Sequence, residues 1–192
     1  LLVVLFLVLV CDVTIIKPYQ AARFDFSKPC TKYSLDTGYQ VCNGYIAIHN
    51  GGLTGVGLGD STQKYLYLPE AHTDFIFCII IEELGLFVGL FILLLFMVVI
   101  TRIIMIGRRC LNNRDALICY GGAFYIFIHI MVNLFGIFGI LPMTGVPLPF
   151  MSYGGSSMLT NFMGIGLVEN IVMRDRAKRD LVRETPKQAM RI

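Results

Sequence analysis

Apolar residues fall into four blocks along the chain, at 1–16, 74–106, 116–141 and 150–173. Each of the last three is long enough to cross a bilayer as a helix, which takes about 20 residues with some tilt. The first opens on LLVVLFLVLV and runs only ten residues before Cys11 and Asp12. It lacks the basic start and small-residue cleavage site of a signal peptide, and reads as the end of a spanning helix whose beginning lies outside the chain. Residues 17–73 form a long polar segment without sustained periodicity, as functional or disordered loops do. Its centre, GYQVCNGYIAIHNGGLTGVGLGD, is rich in glycine and mildly apolar, which points to partial re-entry or interfacial packing. GLTGVGLG is not a phosphate loop, since no Lys–Ser/Thr pair follows it and no βαβ pattern surrounds it.

Composition supports the membrane reading. Of 192 residues, 56% are hydrophobic, and the mean hydropathy is +0.70, more than a soluble domain of this length carries. There is no Trp, so an interfacial aromatic belt has to be built from Tyr. The net charge of +3 matters less than its distribution. Arg108, Arg109 and Arg114 follow the second block, with Arg102 at its edge, and Arg174, Arg176, Lys178, Arg179, Arg183, Lys187 and Arg191 follow the fourth. The connection 142–149 has no charge. Basic loops stay in the cytoplasm, so 107–115 and the tail 174–192 are expected there, and 17–73 and 142–149 on the other side. The five basic residues of 17–73 do not oppose this, because long loops translocate largely regardless of charge. The expected fold is therefore an all-α polytopic membrane protein. It has about four transmembrane helices, the first truncated, and one long extracytoplasmic loop. The basic tail alternates with Asp and Glu, as an anchor at an anionic lipid surface does, and no nucleic-acid partner is expected.

Carboxylates at the second block need a reason, because they are costly beside hydrocarbon. Asp74 stands where the polar segment meets the block, and Thr73 or Asp74 falls near a helix N-cap. A carboxylate there is favoured by the helix dipole and the unpaired N–H groups, and it can serve as a cap or as a proton acceptor. In an extended chain Glu70, His72 and Asp74 share one face and offer an incomplete divalent-cation site or a solvated loop. Glu82 and Glu83 point about 100° apart on a helix, so at least one must face a polar cleft or a protein neighbour. Ser152, Tyr153, Ser156, Ser157, Thr160 and Asn161 give the fourth block a polar, small-residue face, suited to helix packing or to lining a cavity near Asp74. His129 and Asn133 are spaced i, i+4 and read as a buried, satisfied pair. The six cysteines have no metal-ligand spacing; Cys30 and Cys42 share the polar segment and either pair there or stay as thiols. No nucleophile elbow, HExxH or zinc signature is present.

Two long ordered motifs, AIHNGGLTGVGLGDSTQKYLYLPEAHTDFIFCIIIEELG and LPMTGVPLPFMSYGGSS, resemble the SEDS family of shape, elongation, division and sporulation proteins, the FtsW/RodA/SpoVE group. GYQ at 38–40 and YQAAR at 19–23 are also similar to family patterns. His49–Asn50 depart from the Gly–Ser more usual in the family. The resemblance covers nearly all of this chain but only the C-terminal half of a family fold of ten membrane helices. It implies a bacterial plasma-membrane, multi-pass glycosyltransferase that polymerises lipid II into β-1,4 glycan strands, with undecaprenyl pyrophosphate leaving. Asp74 is the implied general base toward the acceptor sugar 4-hydroxyl. The implied partners are a class B penicillin-binding protein and divisome or elongasome membrane proteins. Lys64 and Arg23 are candidates for meeting the pyrophosphate, as is a bound Mg²⁺ or Mn²⁺ near Asp74. Glu70, His72, Ser152, Tyr153 and Ser156 are the remaining candidate substrate contacts. QKYLYLPEAHTDFIF leans toward the division or sporulation branch. The alternatives are a lipid II flippase and a non-catalytic scaffold for the penicillin-binding protein. A flippase needs polar residues through the midplane, and here they thin out after Glu83.

Overall fold

A computed structural model describes residues 30, 36–68, 71–142 and 144–189. The first apolar block, Arg23 and Glu70 lie outside the described residues. Among those described, the regular structure is entirely helical: α1 Asp36–Gly51, α2 Thr62–Leu66, α3 Ile76–Leu84, α4 Leu86–Arg109, α5 Asn113–Ile137 and α6 Gly155–Ala189. Among the described residues, only α4 and α5 are long and apolar enough to cross a membrane by length and composition.

The seam between α4 and α5 explains why they pair. Buried positions in α4 run Phe96, Ile100, Ile103 and Gly107; in α5 they run Cys119, Ala123, Ile126, Ile130, Leu134 and Ile137. Steps of three and four residues are the signature of knobs-into-holes packing. A short turn at 110–112 makes the two helices antiparallel. The opposite stripe of α4, through Phe87, Leu90, Phe91, Leu94, Leu95 and Val98, is exposed. In lipid that stripe costs nothing, and close packing rather than the hydrophobic effect holds the seam.

Three features differ from the sequence expectation. The segment read as a loop contains α1 and α2, because α1 has a stripe of small residues (Gly44, Ala47 and Gly51) that lies against α3. A Cβ on Gly44 would sit 3.0 Å from the Phe75 ring, and one on Gly51 would sit 2.1 Å from the Ile81 carbonyl oxygen. The expected single span 74–106 is two helices, α3 and α4, broken at Gly85. The last helix starts at Gly155 rather than 150 and continues unbroken through the basic tail to Ala189. Polar residues along its first half, including Ser156, Ser157, Thr160, Asn161, Glu169 and Asn170, keep it out of the spanning class by composition.

The break at Gly85 is where the glycine-rich motif docks. Gly85 has φ 87°, a left-handed value that favours glycine, and a Cβ there would sit 2.3 Å from the Leu53 carbonyl oxygen. Four backbone hydrogen bonds cross the joint: Val56 N–H to Glu82 O (2.9 Å), Gly57 N–H to Glu83 O (3.0 Å), Leu86 N–H to Gly52 O (3.0 Å) and Phe87 N–H to Leu53 O (3.4 Å). The carbonyls freed at the end of α3 and the first N–H groups of α4 thus find partners in the loop, as backbone polar groups away from water must. Glu82, 1% exposed, accepts hydrogen bonds from Ser61 Oγ and from Thr62 Oγ1 (3.3 Å). Glu83 lies 3.5 Å from Lys64 Nζ. Both carboxylates therefore hold the 52–64 segment onto the helix break, which is why they are tolerated there.

Cys30 and Cys42 form a disulfide that ties residue 30 to α1, so the pairing reading of these two is the one realised. At the far end of the α4–α5 pair, Asp115 accepts from Arg174 Nη2 (3.2 Å) and from Asn112 Nδ2 (3.2 Å). Asp175 accepts from the Leu111 N–H (3.3 Å) and from Arg179 Nη2 (3.0 Å). Arg179 Nη2 also donates to the Arg109 carbonyl. Part of the basic tail is thus bound to this turn instead of lying free at a lipid surface.

Candidate functional site

Asp74 lies in the turn 71–75 that leads into α3. It is half-buried, and its Oδ1 accepts from Thr73 Oγ1 at 2.8 Å. The helix N-cap is Phe75, and no side chain caps it, so the capping role considered for Thr73 or Asp74 is not the one adopted. The chain over 71–75 is a turn and not a strand, so His72 and Asp74 do not share a face by strand alternation, and Glu70 lies outside the described residues.

Three distant segments fix this turn. From α5, Asn133 Nδ2 donates to the Asp74 carbonyl and to the Val146 carbonyl, each at 2.8 Å. From the second motif, Ser152 Oγ donates to the Thr73 carbonyl and accepts from the Leu148 N–H at 2.7 Å. The Tyr153 N–H donates to the His72 carbonyl at 2.8 Å. The backbone carbonyls of residues 72, 73 and 74 are thus each held by a residue far away in sequence. From α1, Phe75 is gripped at Gly44, and Asn43 Nδ2 reaches the Tyr67 carbonyl at 3.3 Å. The backbone of His72–Thr73–Asp74 (HTD) is thus clamped, while the Asp74 carboxylate faces a small pit lined by Phe75, Asn133, Gly136, Thr144 and Gly145. The pit holds about 10 Å³, room for one water-sized group. Gly145 has φ 67°, and a Cβ there would lie 3.7 Å from Asp74 Oδ2. Glycine therefore keeps the wall opposite the carboxylate low.

The candidate residues separate by position. Asp74, Ser152 and the backbones of His72 and Tyr153 come together. Ser152 is 3% exposed with both contacts internal, so it positions the turn and does not line an open groove. The side chains of His72 and Tyr153 are exposed beside Asp74. Ser156 is exposed one turn further on, and its carbonyl accepts from Thr160 Oγ1 at 2.9 Å. Lys64 is drawn to Glu83 and lies 5.5 Å from the Tyr65 ring centroid. His129 and Asn133 do not form the expected pair. His129 stacks on Tyr125, with ring centroids 4.2 Å apart, while Asn133 points to the HTD turn. No cluster of three or more His, Cys, Asp or Glu gathers among the described residues. Asp74 is the described carboxylate that could contribute to a divalent cation held jointly with substrate phosphates.

Gly145 is a site residue the sequence reading missed, and Asn133 is one whose partner it misassigned. A lone Asn deep in an apolar helix signals an interhelical contact, but its spacing does not say with what.

Residues 1–177 match the family model described as a cell cycle protein, FtsW/RodA/SpoVE. The chain is similar to the probable peptidoglycan glycosyltransferases FtsW of Bacillus subtilis (strain 168), 45% identical over 152 residues, and of Coxiella burnetii, 44% over 161. These alignments cover 79% and 82% of the chain but 38% and 43% of the relatives. Stage V sporulation protein E of Bacillus subtilis is 40% identical over 154 residues, covering 80% of the chain and 42% of that protein. The chain thus spans about two-fifths of the length of the curated relatives it matches. A solved structure described as structural coordination of polymerization and crosslinking by a peptidoglycan synthase complex superposes with a TM-score of 0.58 at 29% identity. That match covers 91% of this chain and 48% of the other. With nearly the whole sequence inside the family model and the two motifs that carry the resemblance meeting at Asp74, the chain belongs to the FtsW/RodA/SpoVE family of membrane proteins.

Proposed function

We propose that the whole protein is a peptidoglycan glycosyltransferase of the bacterial plasma membrane, that it polymerises lipid II, and that Asp74 is its general base. The observation that carries this is the half-buried Asp74 carboxylate, held by contacts from α5 and the 148–153 segment and open to a hydroxyl-sized pit beside an apolar helix pair. A substrate with a lipid tail and a sugar head has to be met at such a place, where hydrocarbon and polar surface adjoin. The carboxylate takes the proton of the acceptor sugar 4-hydroxyl, and the oxygen attacks the donor anomeric carbon. The bond to undecaprenyl pyrophosphate then breaks and takes the electron pair with the leaving group. Direct displacement inverts the centre and yields a β-1,4 linkage. Clamping the HTD backbone serves this chemistry, because the catalytic value of a base depends on its being held in reach of the reacting hydroxyl. In this reading Asp74 faces outside, and the tail is cytoplasmic.

The names of the curated relatives support glycosyltransfer, and those names favour the division or sporulation branch. The peptidoglycan synthase complex among similar structures supports a class B penicillin-binding protein as partner. The test is lipid II polymerisation in detergent by the whole protein with that partner, comparing Asp74→Ala and Asp74→Asn with the parent. Detergent abolishes the two compartments that flipping needs. Both variants are expected to lose polymer, and full polymer from both would refute the assignment.

A further inference from the structure

At the end of α4 remote from Asp74, α4 and α6 part and leave a cleft of about 240 Å³. Its walls are Ile106, Arg109, Val172, Asp175, Arg176 and Arg179, with Cys110 at the turn. Chemically it is divided. Ile106 and Val172, one helical turn before Arg109 and Arg176 in their helices, supply its apolar lining, and Arg109, Arg176 and Arg179 its basic lining.

The negative groups in the cleft are already matched. Arg179 spans the Asp175 carboxylate and the last carbonyls of α4 at Arg109. Neither the Arg109 nor the Arg176 guanidinium takes part in an ion pair among the described residues, and both residues are exposed. Arg109 and Arg176, neither in an ion pair among the described residues, therefore line a cleft that also has the apolar side chains Ile106 and Val172 in its wall.

We propose that this cleft is a binding site for the head group of an anionic phospholipid. The phosphodiester sits between Arg109 and Arg176, and an acyl chain lies against Ile106 and Val172. Arginine forks match phosphate oxygens bidentately, and basic clefts between helices at the membrane surface attract anionic head groups. The site needs nothing of the glycosyltransferase reading and lies at the other end of the helices from Asp74.

The test uses native mass spectrometry of the whole detergent-solubilised protein with added phosphatidylglycerol or phosphatidylcholine. Two double variants carry equal charge loss: R109Q/R176Q in the cleft and R108Q/K178Q outside it. Phosphatidylglycerol is expected to be retained in preference to phosphatidylcholine by the parent and by R108Q/K178Q. The preference should fall about tenfold or more in R109Q/R176Q, since each basic residue near a charged surface contributes roughly fivefold. Unchanged melting in phosphatidylcholine certifies that the variants fold. Preference retained by R109Q/R176Q, or lost equally by both variants, would overturn the proposal. So would displacement of phosphatidylglycerol by an equal concentration of glycerophosphate, since the ligand would then be a free anion.

Discussion

The side-chain amide of Asn133 donates to the backbone carbonyl of Asp74 at 2.8 Å and with the same nitrogen to Val146, 13 residues further along the chain. A single polar side chain in an apolar helix thereby joins α5 to the turn that carries the carboxylate and to the connection that forms its opposite wall. Asn133→Ala leaves both carbonyls without this donor. Two lost hydrogen bonds cost about 2–3 kcal/mol, reduced because the buried, unpartnered Asn133 Oδ1 is removed as well. The expected outcome is a lower melting temperature in detergent and polymerisation reduced about tenfold or more. Wild-type activity in a correctly folded variant would show that the clamp does not position Asp74.

Gly85→Ala is expected to be strongly damaging at the helix break. Its φ of 87° and the 2.3 Å approach to Leu53 O place the new Cβ against backbone that cannot move without breaking the four hydrogen bonds across the joint. A loss of about 3 kcal/mol or more is expected. Gly121→Ala, with nothing within 4 Å of its added Cβ, should stay within about 1 kcal/mol of the parent. Thermal unfolding of the two variants side by side checks the contrast.

The Arg179 hydrogen bond holds the Asp175 carboxyl below its ordinary range, with the Leu111 N–H adding to it. A group whose folded value is depressed contributes stability that is present above its unfolded value and is lost as pH falls through the folded one. Melting temperature should therefore drop on acidification below about pH 4, the usual aspartate range. Asp175→Asn should flatten that part of the profile while lowering stability at neutral pH. An identical acid slope in the variant would show that another carboxylate governs it.

The Cys30–Cys42 disulfide predicts that two thiols resist alkylation in denatured protein until reductant is added. Disulfides persist in oxidising compartments, so the same measurement on protein from intact cells tests the extracytoplasmic placement of residues 17–73. Full alkylation without reductant would oppose both.

The sequence by itself determined the helical membrane class and the two long apolar helices, and it singled out Asp74 as a candidate, because burial in lipid demands apolar length and makes a carboxylate beside hydrocarbon stand out. It also carried the family resemblance through two ordered motifs. Only the tertiary structure decided what those motifs do to each other. Gly51 and Gly55 look like loop residues along the chain and Gly85 like part of a span; in space they let two backbones meet and exchange hydrogen bonds at a broken helix. Ser152 looks like a groove residue, yet it holds the carbonyl of Thr73. Asn133 looks like a partner for His129 one turn away, yet it reaches Asp74, 59 residues distant. Periodicity reports which face of an element is apolar; it carries no information on which carbonyl a lone polar side chain will meet. That choice depends on the helix break at Gly85 and on the packing of α1 and α5 around the HTD turn, neither of which has a local signature.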